Sequence, residues 1–76
     1  MSKTFSGKEM RNILVRKYGF QEVSQKGSHV KLVRIESGQK RITIIPMHRE
    51  LATGTMNGLL RLAGIELADF LKKAKQ

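Results

Sequence analysis

The chain has 76 residues, with 15 lysines and arginines against 6 carboxylates and no cysteine. That length allows one small domain over residues 1–76, with little room for an enclosed pocket or a nucleotide-cofactor fold, and without thiols neither a disulfide framework nor a thiolate zinc site can stabilise it. A net charge of +9 favours a polyanionic partner, because each phosphate contact releases condensed counterions; nucleic acid leads, ahead of an acidic protein or a membrane surface.

Residues 1–8 lack the apolar segment of a signal peptide, and no apolar run approaches the roughly 20 residues that span a bilayer. A cytoplasmic protein with no membrane partner is expected. Ser6-Gly7-Lys8-Glu9 then opens a helix, since a serine cap and a glutamate three residues later satisfy each other's free amides. Met10, Ile13, Leu14 and Tyr18 follow at helical spacing, and Gly19 supplies a left-handed stop, so a helix is predicted over residues 7–18. Residues 20–26 alternate only weakly, with Val23 between Gln21 and Gln25 on one face, and predict an edge strand.

Two stronger strands follow. Val30 and Leu32 share one face of the first while His29, Lys31 and Val33 share the other; in the second, Ile42 and Ile44 oppose Arg41 and Thr43. One face reads as core and the other as basic. Pairing Leu32 with Ile42 and Val30 with Ile44 needs a loop of odd length, which Glu36-Ser37-Gly38 supplies, with Gly38 at the positive-φ position. Lys31 is then expected opposite Thr43, and His29 opposite Ile45. Pro46 ends the strand and residues 47–53 read as a loop. Thr55 is expected to cap a helix bearing Met56, Leu59, Leu60 and Ala63, closed by Gly64. A last short helix carries Leu67, Phe70, Leu71 and Ala74, with acidic residues early and lysines late, as the helix dipole favours.

Six basic residues and one carboxylate lie between Ser24 and Arg49, and His29 falls within that stretch. On its own, a strand histidine is more commonly an ordinary half-exposed residue than a catalyst. The setting favours the second reading, because an unperturbed imidazole titrates near 6.5 and can move a proton at neutral pH. RNA brings its own nucleophile: a deprotonated 2′-hydroxyl attacks the adjacent phosphorus, so neither metal nor cofactor is required. Lys26, Lys31 and Arg41 are candidates to hold the phosphate, with a merely solvated basic face as the alternative for each. Gly27 would let a ligand approach and Ser28 could donate to phosphate; the alternative for both is that they only shape a turn. His48 follows Pro46 and is a candidate RNA contact, or an acid toward the departing oxygen if it reaches the same phosphate. Two histidines without clustered carboxylates make no metal site. A non-catalytic RNA-binding module uses the same residues and stands as the alternative.

Ser6-Gly7-Lys8-Glu9, Tyr18-Gly19-Phe20, Lys26-Gly27-Ser28-His29, Pro46-Met47-His48, Gly54-Thr55 and Ala63-Gly64-Ile65 occur in an order and spacing that resemble the HicA toxins, the small ribonucleases of HicA/HicB toxin–antitoxin pairs. The resemblance implies an α+β fold: a dsRBD-like α-β-β-β-α arrangement, a three-stranded antiparallel sheet packed on helices, and a short extra C-terminal helix. It implies metal-independent cleavage of mRNA, growth arrest by the free toxin, and His29 as the catalytic residue, with Gly27 and Ser28 in the same motif. It also implies a HicB antitoxin over that face and contact with operator DNA only through the antitoxin. Residues 52–57 carry no basic side chain, unlike the corresponding helix start of double-stranded RNA binders, so single-stranded mRNA is the expected substrate. With no aromatic residue between Lys26 and Arg49, base stacking is a poor source of sequence preference.

Overall fold

The computed structural model describes residues 4–76. Helix α1 (Gly7–Tyr18) leads into strands β1 (Gln21–Lys26), β2 (His29–Glu36) and β3 (Gln39–Pro46), followed by helices α2 (Thr53–Ala63) and α3 (Leu67–Ala74). The strands form one antiparallel sheet in the order β1-β2-β3. This is the expected α+β architecture with its additional C-terminal helix.

Helix α1 starts and stops where its local chemistry dictates. The Ser6 hydroxyl accepts from the Glu9 amide, the Glu9 carboxylate accepts from the Ser6 amide, and Gly19 closes the helix at φ 72° with its N–H donating to the Leu14 carbonyl. Met10 and Leu14 are wholly buried against Val30, Leu32 and Ile45 of the sheet and against Leu59, Leu60 and Phe70 of the later helices. One sheet face is therefore covered, and the other is open.

The central hairpin differs from the sequence expectation. The turn is the two-residue Ser37-Gly38, with Glu36 opposite Gln39, and both turn residues have positive φ, at 50° and 78°. That is the type I′ pattern, whose twist matches that of the strands it joins. Leu32 consequently lies opposite Thr43, Val30 opposite Ile45, Lys31 opposite Ile44 and His29 opposite Pro46. The register is one residue away from the pairing of Leu32 with Ile42, and every side chain of β3 changes face. Thr43 enters the core, where its hydroxyl donates to the Leu59 carbonyl at 2.8 Å. Ile42 and Ile44 move to the open face. That face is mixed basic and apolar.

Two smaller differences concern element ends. In β1 the pairing slips between Glu22 and Ser24, a bulge that breaks the simple alternation around Val23, while Phe20 precedes the strand as a buried core residue. Helix α2 begins at Thr53, not after Thr55, and its cap residue Ala52 offers no side-chain hydrogen bond. The start is set by packing: Leu51 is buried, its N–H donates to the Phe5 carbonyl, and the Ala52 carbonyl accepts the Met56 amide.

Candidate RNA-cleavage site

His29 is the first residue of β2, directly after the Gly27-Ser28 turn. Gly27 has φ +59° and Ser28 is not in the left-handed region, the type II′ arrangement that places glycine first. This turn makes Lys26 the partner of His29 on one side, while the β3 register makes Pro46 its partner on the other. Directly opposed residues share a face, so Lys26 and His29 project together from the open side of the sheet. Lys31, two residues along β2, projects with them.

Ser24, Lys26, His29, Lys31 and Ile44 line one open depression on this face. His29 and Lys26 are exposed and Lys31 is half-buried; none of their side chains has a hydrogen-bond or ion-pair partner among the described residues. No carboxylate lines the depression. Glu22 lies on the covered side, 3.7 Å from Arg11, and Glu36 is held by Arg34 at 2.6 Å. Glu9 caps α1 and Asp69 accepts from Tyr18, which leaves Glu50 in the loop between β3 and α2 and Glu66 at the cap position of α3. The positive potential around His29 is therefore not cancelled locally, and an open imidazole between two ammonium groups can receive a phosphodiester.

The other residues singled out in the sequence are distributed differently. Gly27 and Ser28 form the turn directly before His29 and do not line its depression, and the Ser28 carbonyl accepts the Met47 amide at 2.6 Å. Arg41 pairs with Arg34 across the strands and so lies on the face opposite His29, with its side chain beside Gly64 and 3.9 Å from Glu36. The one-residue change of register removes it from the group around His29. His48 is exposed and lines a separate depression with Ser6, Lys8, Arg11, Met47 and Arg49. Sequence reasoning did not find Ile44 and Ser24 as neighbours of His29. Ile44 follows from the two-residue turn length, whereas the bulge that places Ser24 opposite Lys31 leaves no mark in the alternation pattern.

Among the described residues no cluster of metal-ligating side chains occurs, and no helix is long and apolar enough to cross a membrane. A comparison with curated proteins finds no match. The family model described as the HicA toxin of bacterial toxin-antitoxin systems matches residues 7–65, from the first residue of α1 past the end of α2 and across the whole sheet. The chain belongs to the HicA toxin family.

Proposed function

We propose that this toxin is a metal-independent endoribonuclease that cuts mRNA at the His29 depression, arrests growth, and is neutralised in the cytoplasm by a HicB-type antitoxin. The observation that supports it is the exposed imidazole of His29 flanked by Lys26 and Lys31 in a depression free of carboxylates. In the proposed reaction the imidazole takes the proton of a ribose 2′-hydroxyl, and that oxygen attacks the neighbouring phosphorus. The bond from phosphorus to the 5′-oxygen breaks as the new one forms. Lys26 and Lys31 oppose the charge gathering on the non-bridging oxygens, the kind of electrostatic stabilisation that carries much of phosphoryl chemistry. With His48 in another depression, the departing 5′-oxygen takes its proton from water, to which the site is open. The imidazolium then returns its proton to solvent. The products are a 2′,3′-cyclic phosphate and a 5′-hydroxyl.

Replacing His29 with alanine tests this. Cleavage and growth arrest are expected to disappear, with a rate loss of about 100-fold or more for a removed general base, while RNA binding persists through the two lysines. A His29→Ala protein that cuts RNA as fast as the parent, or parent products bearing 5′-phosphates, would falsify the mechanism. If the parent binds RNA without cutting it, the chain is a binding module.

A further inference from the structure

The depression lined by Ser6, Lys8, Arg11, Met47, His48 and Arg49 lies where the first turn of α1 meets the loop after β3. Lys8, His48 and Arg49 are exposed, and their side chains have no hydrogen-bond or ion-pair partner among the described residues. Arg11 is partly neutralised by Glu22 at 3.7 Å. The helix terminus itself has little left to donate: the Gly7 N–H is taken by the His48 carbonyl at 2.9 Å and the Glu9 N–H by the Ser6 hydroxyl at 3.0 Å. What this depression presents to an anion is side-chain charge.

Main-chain hydrogen bonds join it to the His29 depression. Pro46 lies opposite His29, the Met47 N–H donates to the Ser28 carbonyl, and the His48 carbonyl receives the Gly7 N–H. Residues 46–48 are thus stapled to the turn before His29 on one side and to α1 on the other. These hydrogen bonds set the spacing of the backbone segments that carry the two groups of cations. A hydrogen-bonded bridge with unpaired cations on both sides is suited to a ligand that carries charge at regular intervals.

We propose that the second depression extends the cleavage site along the substrate: it holds phosphates of the same RNA strand beyond the one at His29, with Lys8 and Arg49 making the main interactions. The proposal rests on the RNA-cleaving reading above. It makes His48 a strand-positioning residue and not a proton donor at the scissile phosphate. RNA fits this lining better than an acidic protein surface does. Among the described residues Met47 is its only large apolar member, whereas protein interfaces centre on an apolar or aromatic core and phosphate binding needs only spaced cations and donors.

The test compares the parent with Lys8→Ala/Arg49→Ala on a dinucleotide and on a longer unstructured RNA, with binding measured in the His29→Ala background across a range of salt. Both side chains are exposed, and circular dichroism checks that the fold is retained. The parent is expected to cleave the longer RNA with the higher kcat/KM, and the double variant to forfeit about tenfold of that advantage, mainly through KM, for two phosphates released. The slope of log affinity against log salt should fall by about 0.7 for each phosphate that is no longer neutralised, and Lys8→Arg should restore the Lys8 share. An unchanged length advantage and salt slope overturns the extension and leaves cleavage at His29 standing. A parent that cuts neither RNA removes the nuclease reading itself. Intact RNA affinity together with abolished antitoxin binding overturns the proposal in favour of an acidic protein partner.

Discussion

A methyl group on Gly7 would overlap the carbonyl oxygen of Pro46 and press on the Cα of Met47. Both obstacles are main chain, so relief requires α1 or the loop to move. Gly7→Ala is expected to destabilise the protein by about 1–3 kcal/mol, the range for overpacking a close approach. Urea unfolding measures it, and a cost under about 0.5 kcal/mol, typical of a neutral surface change, would show that the loop yields freely. The sequence places Gly7 correctly at the start of a helix but not against Pro46, because that approach joins residues far apart in the chain. Thr43 shows the same limit. Set between isoleucines it reads as the solvent side of a strand, yet it is fully buried with its hydroxyl bonded to the Leu59 carbonyl. A buried hydroxyl that has its partner is stable inside a core, and that partner lies on α2, outside any local pattern. The grouping of His29 with Lys26 and Lys31 is legible for the opposite reason: both lysines lie within three residues of it in sequence.

At the level of elements, the two hairpins differ in how well their turns suit their conformations. Gly27 carries the only positive φ of the first turn, whereas the second requires one from Ser37 as well as from Gly38. A left-handed conformation costs an L-residue roughly 1–2 kcal/mol, and glycine forfeits roughly 0.5–1 kcal/mol of chain entropy in exchange for avoiding it. Ser37→Gly is therefore expected to stabilise the protein by about 0.5–1 kcal/mol, read as a higher midpoint in thermal or urea unfolding. A lower midpoint would mean that the serine makes a compensating interaction in this turn. The same turn explains the difference in register. Glu36-Ser37-Gly38 is compatible with a loop of two or three residues, and alternation alone favours the choice that buries Ile42 and Ile44. Helix α1 leaves no such ambiguity, since the capping box and Gly19 state both of its ends locally. Helix α2 states only its end, at Gly64, and its beginning is decided by how Leu51 docks on Phe5.

Across the whole molecule, four of the six carboxylates, Glu9, Glu22, Glu36 and Asp69, are engaged in a cap or an ion pair and none lines the His29 depression, so the acidic residues bear on stability more than on the site. Asp69 is the clearest case. Its carboxylate receives the Tyr18 hydroxyl at 2.6 Å and the Lys73 ammonium at 3.3 Å, and Lys73 lies 4.8 Å from the centre of the Tyr18 ring. With Phe70 packed edge-on to Phe5 at 5.3 Å, these interactions dock α3, whose first turn lacks a side-chain cap. The Tyr18 hydrogen bond, the leading cause, holds the Asp69 carboxyl below its ordinary 3.8; desolvation opposes it, and Lys73 and Lys72 add lesser contributions in the hydrogen bond's direction. Burial, followed by the hydrogen bond and charge of Asp69, holds the Tyr18 phenol well above its ordinary 10.0. The carboxyl's depressed value means that its contribution is complete above pH 3.8 and is lost as acid protonates the folded state. The phenol's raised value means that its contribution is complete below pH 10.0 and declines as alkali ionises the unfolded chain first. Tyr18→Phe removes the phenol and the leading cause of the Asp69 shift together. The stability difference between the parent and Tyr18→Phe should therefore be greatest between these two values and should shrink on both sides. Urea unfolding below pH 3.8, at neutrality and above pH 10.0 measures that difference. A gap of constant size at all three would assign the loss to ring packing and leave the hydrogen bond with no share in holding α3.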